Sequence, residues 1–402
     1  MTDYQPASRV TRIRESASVM AAARVRELKA EGRSIIDLTV GEPDFDTPEH
    51  VKLAAIAAIN AGQTKYTSVT GTPELQSAIL RHVEKRTGIA YGPGEVTIAG
   101  GAKQVIYTAF MASLDSGDEV IVPAPYWVSY PDMVLANDGT PVIVPCGDEV
   151  GFKLTPRALA EAITPATKWL ILNTPSNPTG VVYSRAELEA LATVLAEHPQ
   201  VHVLTDEIYD AIYFGEGRIT SLVAAAPQLR DRVLVVNGVS KAYAMTGWRL
   251  GYAVGPAKLV ASINKLQSQI SSCPSSISQA AAAAALTGDQ TFVAECVEAY
   301  RGRRDAAVAG LNAVAGLSCL SPEGAFYAYV KCEGAIGKTT PGGATIATDQ
   351  DFVLYLLDAA SVAVIPGSAY GLGPYFRISF ATSLETITAG VEAIDKAVRA
   401  LN

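Results

Sequence analysis

Lys241 lies in the run Gly238-Val239-Ser240-Lys241-Ala242-Tyr243-Ala244-Met245-Thr246-Gly247-Trp248-Arg249-Leu250-Gly251. A lysine among small residues, with an arginine eight positions later, suits a buried amine that bonds covalently to an aldehyde whose phosphate the arginine holds. Most lysines are solvated surface charges, but the surroundings of this one differ. The β-branched run Arg232-Val233-Leu234-Val235-Val236 just upstream predicts a strand buried on both faces of a parallel sheet. Lys241 therefore falls in the loop at that strand's carboxyl end, where open α/β sheets place their ligands.

Other residues complement such an aldehyde. Gly100-Gly101-Ala102-Lys103-Gln104 follows the run Glu95-Val96-Thr97-Ile98-Ala99 and opens a helix, so backbone N–H groups and the helix dipole face an anion. Ser240 adds a hydroxyl next to Lys241. A phosphorylated aldehyde attached to a lysine is pyridoxal phosphate, whose ring nitrogen must stay protonated beside a carboxylate if the ring is to draw electrons. Asp206, at the end of the run Val201 to Leu204, is placed for that role; a helix N-cap is the alternative. Trp127, in Pro125-Tyr126-Trp127, suits stacking on a flat cationic ring, the alternative being a core tryptophan. Arg377 interrupts the apolar strand Tyr375-Phe376-Arg377-Ile378-Ser379-Phe380, which a bidentate carboxylate from a substrate or an internal salt bridge would explain. Asn177 stands in Asn173-Thr174-Pro175-Ser176-Asn177-Pro178-Thr179-Gly180. Asn before Pro ordinarily marks a turn, and two prolines so close at a strand's carboxyl end indicate a loop held rigid.

Taken together, these segments resemble the class I and II aminotransferases, and within them the aspartate aminotransferases of fold type I, subgroup I-beta, from Gly41 through Arg377 to the C-terminus. The resemblance implies pyridoxal phosphate as cofactor, attached to Lys241. It implies Asp206, in a D-E-x-Y segment about thirty-five residues before the lysine, on the ring nitrogen. Tyr209 and the amide of Asn177 in N-P-T-G would meet the phenolic oxygen, with a cis peptide bond before that proline. Trp127 would cover the ring. Gly41 and Arg377 would receive the substrate's α-carboxylate, and Lys103 the distal carboxylate. Tyr66 would cross from one subunit to the phosphate bound by the other, making the active unit a homodimer with shared sites. Arg14 stands where a basic residue, more familiarly lysine, accompanies prephenate use. The implied reaction moves the amino group of L-aspartate to 2-oxoglutarate, giving oxaloacetate and L-glutamate. Alternatives on the same scaffold are prephenate, aromatic or alanine transamination and a β-lyase. A ligand-sensing domain of a transcription regulator would need a DNA-binding domain ahead of the fold, and only about forty residues precede Gly41.

These residues must be positioned by alternating strands and helices. Short apolar runs at 119–122, 169–172, 201–204, 233–236 and 252–254 punctuate helical stretches, which predicts a mostly parallel sheet sandwiched by helices. Three Thr-Pro pairs, Thr47-Pro48, Thr72-Pro73 and Thr155-Pro156, predict helix starts with a threonine N-cap, and Gly62 and Gly88 predict helix ends. After residue 300, strand candidates at 325–330, 362–365 and 376–380 with fewer helices predict a smaller α+β domain. The expected division is an N-terminal arm with part of the small domain (1–46), a large cofactor-binding domain (47–300) and a C-terminal small domain (301–402).

With 402 residues, 49% hydrophobic and 18% charged, the chain is long enough for a large core. A net charge of −8 argues against a nucleic-acid surface. Five cysteines without CxxC spacing and four histidines without HExxH predict reduced thiols and no metal site. No apolar stretch approaches the roughly 18 residues of a membrane span, so the expectation is a cytoplasmic enzyme meeting small amino acids and 2-oxo acids.

Overall fold

The computed structural model describes residues 4–402. The main sheet has seven strands: β1 Val96–Ala99, β2 Glu119–Ala124, β3 Thr140–Pro145, β4 Thr167–Asn173, β5 His202–Asp206, β6 Val233–Gly238 and β7 Gly251–Val254. Their spatial order is β1-β7-β6-β5-β4-β2-β3. Strands β3, β2, β4, β5 and β6 run parallel, while β7 is antiparallel to both of its neighbours. The unbroken apolar runs follow from burial on both faces. Leu170, Leu172, Val203, Val233 and Val235 enter one core, and the residues between them, Ile171, Leu204, Leu234 and Val236, enter the core on the opposite face. Each such side chain, removed fully from water, contributes about 1.5–3 kcal/mol.

Two local expectations are corrected. The strand β3 was not foreseen, because Pro141 and Pro145 bracket it. It lies at the edge of the sheet, where a missing N–H donor is tolerated. Of the three Thr-Pro pairs, Thr72 and Thr155 cap their helices through Leu75 and Ala158 N–H groups. Thr47 does not cap. Its hydroxyl donates to the Ala244 carbonyl and accepts from the Trp248 indole, so it ties the chain to the Lys241 loop instead.

A second, antiparallel sheet comprises β8 Ser318–Cys319, β9 Tyr327–Lys331, β10 Ile365–Pro366 and β11 Tyr375–Ser379, in the order β10-β11-β9-β8. The run 362–365 is split: Val362 and Ala363 pair in parallel with Ile36 and Asp37, and only Ile365 joins β10. The core of this region also takes in Tyr209, Ile212 and Phe214 from the segment after β5. One turn is thus held between the main sheet and the second core. Among the described residues no helix is long and apolar enough to cross a membrane.

Candidate active site

The carboxyl ends of β2, β4, β5 and β6, with the helix Ala102–Met111, surround a cavity of about 280 Å³. Lys241, three residues beyond β6, projects into it and donates from Nζ to the Gly41 carbonyl at 2.5 Å. Burial pushes the Lys241 ammonium down to about 8. Arg377 and Arg249 push the same way, against Glu42 and Asp206. The amine is therefore far easier to deprotonate than a surface lysine.

Asp206, the last residue of β5, is 4% exposed. Its Oδ2 accepts from the Tyr130 hydroxyl at 2.8 Å and its Oδ1 from the Ile208 N–H at 3.2 Å. Burial raises its carboxyl to about 6, although Tyr130 and Ile208 oppose the shift. A buried carboxylate in this state is stabilised by a cation placed against it. Tyr209, also buried, shares a 2.9 Å hydrogen bond with the Tyr327 hydroxyl, and burial lifts its phenol well above the ordinary range.

Arg249 forms the opposite corner. It holds a left-handed backbone at φ 51, which costs a non-glycine residue about 1 kcal/mol or more. Its guanidinium donates to Thr246 and Gly100 carbonyls. Gly101 has φ 103, and a Cβ there would stand 2.4 Å from Arg249 Nη2. A Cβ on Gly251 would meet the backbone nitrogen of Ala102 at 2.1 Å. Both glycines are needed for the guanidinium and the amino end of the helix Ala102–Met111 to converge, which makes this corner a cradle for an anion. Ala102 and Ser240 line the same cavity. Lys103 places Nζ 4.7 Å from the centre of the Trp127 ring, and burial, then Arg249, lowers its ammonium.

On the far wall, Arg377 is 2% exposed. It donates to Asn177 Oδ1 at 3.1 Å and to the Thr39 carbonyl at 2.7 Å, and lies 4.3 Å over the Tyr327 ring. No carboxylate pairs with it among the described residues, and its Nε has no hydrogen-bond partner. The internal salt bridge that would have explained a buried arginine is absent, which leaves a guanidinium free to take a carboxylate. The cis peptide bond in the Asn177 loop is Thr174-Pro175, one proline earlier than the N-P-T-G resemblance implies.

Gly41, Ala102, Lys103, Trp127, Asn177, Asp206, Tyr209, Ser240, Lys241, Arg249 and Arg377 thus meet in one cavity. Gly101 sits directly behind it against Arg249. Tyr66, 88% exposed, lies outside. Arg14 is exposed as well, donates its backbone N–H to Asp132, and borders a separate shallow hollow, whereas Ser16 lines both. Tyr130 and Tyr327 were not anticipated. Tyr327 sits in a run that reads as a buried strand, and Tyr130 carries no motif.

The family model for aminotransferase class I and II matches residues 33–394. The chain is 52% identical to an aspartate aminotransferase of Rhizobium meliloti (strain 1021), over 97% of this chain and 95% of that one. It is also 52% identical to an aspartate/prephenate aminotransferase of Cereibacter sphaeroides, over 94% of each. A crystal structure of the aspartate aminotransferase from Rhizobium meliloti superimposes with a TM-score of 0.97 at 51% identity, covering all of both chains. Match and geometry agree: the chain belongs to the class I and II aminotransferases, enzymes of the α/β fold described here that work with pyridoxal phosphate.

Proposed function

We propose that the chain is an aspartate aminotransferase, moving the amino group of L-aspartate to 2-oxoglutarate and releasing oxaloacetate and L-glutamate. One observation carries this reading: besides Arg249 of the anion cradle, two further cations without carboxylate partners among the described residues, Arg377 and Lys103, line the cavity into which Lys241 projects. Two fixed cations suit a dicarboxylate, and relatives named aspartate aminotransferase share about half their residues with this chain.

The residues fit pyridoxal phosphate. The Gly101–Arg249–Gly251 cradle, with Ala102 and Ser240, suits its phosphate. The buried Asp206 suits its ring nitrogen, Tyr209 and Asn177 its phenolic oxygen, and Trp127 its ring face. When bound, the cofactor supplies an aldehyde that exchanges with the substrate's amino group and a ring that withdraws electrons from the α-carbon. Lys241 would hold it covalently and, as a free amine, would move a proton at the substrate's α-carbon. That role needs a neutral amine, and the lowering of Lys241 to about 8 brings its neutral form within reach at far lower pH than for a surface lysine. Asp206 keeps a proton on the ring nitrogen. Arg377 and the Gly41 backbone orient the α-carboxylate, and Lys103 the distal one.

Beyond the single chain, we take the active unit to be a cytoplasmic homodimer with Tyr66 reaching the partner's phosphate. Its support is the exposure of Tyr66 and of Leu53, Ile56 and Ile59 along one helix, an apolar stripe that a second copy would cover. The proposed division at residues 46 and 300 puts the second boundary inside the helix Thr291–Asn312. A panel of aspartate, alanine, phenylalanine and prephenate (with glutamate as its amino donor) tests the specificity. Aspartate should exceed alanine and phenylalanine in kcat/KM by at least about a hundredfold, the scale of a charge pair worth roughly 3 kcal/mol. Parity among them would overturn the dicarboxylate reading. Measurable prephenate turnover would widen it and bring Arg14 into play.

A further inference from the structure

The turn carrying Asp206 and Tyr209 has a second side. Asp206 and Tyr209 face the cavity of Lys241, whereas Glu207 and Asp210 face away, toward Arg86. Arg86 is buried from the helix Pro73–Thr87, pairs with Glu207 and brings Nε to 3.1 Å from Asp210 Oδ2. Thr205 and Ser221 hydroxyls donate to the other Glu207 oxygen, so this anchor is rigid. Beyond it opens a crevice of about 810 Å³, bounded by the helix Pro73–Thr87, the segment 210–219 and the start of the helix Thr291–Asn312.

The crevice is rich in positive charge although the chain has a net charge of −8. Arg86 is taken up by its two carboxylates, and Arg301 by Glu298. Arg81, Lys85 and Arg218 also line it, and none forms an ion pair among the described residues. The Arg218 guanidinium donates to the Lys85 backbone carbonyl at 3.0 Å, which fixes Arg218 against the end of that helix. On the same wall, burial above all pushes the His82 imidazole below its ordinary range; Asp210 opposes this, and Arg86, Arg218 and Lys85 push the same way as burial. Three like charges gathered in one concavity repel each other unless an anion joins them.

We propose that this crevice binds a small multivalent oxyanion, a phosphorylated or polycarboxylate metabolite, held by Arg81, Lys85 and Arg218 one layer of side chains behind Asp206 and Tyr209. Guanidinium forks and an ammonium together match phosphate or carboxylate oxygens. The site is distinct from the substrate cavity, because the Arg86–Glu207 pair separates the two.

The test uses the cofactor-loaded protein, with pyrophosphate and citrate as probes and sodium chloride at matched ionic strength as the control. The ring proton resonances of His82 are followed by NMR and identified by their absence in His82→Gln. An anion in the crevice should saturate and raise the His82 pKa by about half a unit or more, since a nearby negative charge favours the protonated imidazole. In the Lys85→Ala/Arg218→Ala variant, which changes two exposed side chains, the affinity should fall at least about tenfold. Saturation by pyrophosphate alone assigns a phosphate ligand, and by citrate alone a carboxylate one. No saturable shift with either probe, saturation that leaves His82 unmoved, or equal affinity in the double variant overturns the proposal.

Discussion

At the scale of single residues, the site is a set of groups held in costly states that ligands relieve. Lys241 titrates at about 8 rather than its ordinary 10.5. Acetylation of its amine in cofactor-free protein should therefore rise with pH and level off above about 8; a rate still climbing near pH 10 would show an ordinary lysine. Asp206 shifts the other way, to about 6 from 3.8. The stability it lends is complete below about 4 and lost as pH rises through about 6. Asp206→Asn should thus leave the cofactor-free protein at least as heat-stable as the parent near neutral pH, while turnover falls by about a hundredfold or more. Arg377→Ala removes the free guanidinium and should lower kcat/KM for aspartate by roughly thirty- to several-thousandfold, equivalent to about 2–5 kcal/mol. Most residues of this cavity were legible in the sequence because each follows a strand end by a few positions: Asp206 closes β5, and Lys241 lies three residues past β6. Tyr327 was not legible. Its hydrogen bond to Tyr209 spans 118 positions, and its stacking on Arg377 depends on a sheet register that no local pattern announces.

At the scale of elements, the strands of the main sheet were readable because burial on both faces leaves continuous apolar runs. Two features escaped. The edge strand β3 is bracketed by prolines, and the direction of β7 is set by its partners rather than by its own residues. Thr47 shows how a cap motif is overruled when a tertiary partner, here the Trp248 indole, competes for the hydroxyl. The meeting of β7 with the helix Ala102–Met111 depends on Gly251 having no side chain. Gly251→Ala should push that helix end away and weaken cofactor binding by at least about tenfold, read by titrating cofactor into cofactor-free protein, because a Cβ against backbone has nowhere to go. Unchanged affinity would mean that the cradle does not hold the phosphate.

At the scale of the whole molecule, the active centre is built from segments far apart in sequence, from Gly41 to Arg377, held between two cores that meet at the Asp206–Tyr209 turn. Tyr66 and the apolar stripe of Leu53, Ile56 and Ile59 remain outside this arrangement in the single chain. Sedimentation should give twice the chain mass, and Tyr66→Phe should weaken cofactor binding without dissociating the dimer, since one hydroxyl contributes about 0.5–1.5 kcal/mol. A monomer with full activity would remove Tyr66 from the site. The account rests above all on Lys241 as the residue that bonds the cofactor. Borohydride reduction of the cofactor-loaded protein, followed by peptide mapping, tests this directly. The account predicts that the reduced cofactor is found on the peptide containing Lys241 and on no other; its recovery on a different lysine, or on none, would contradict the assignment.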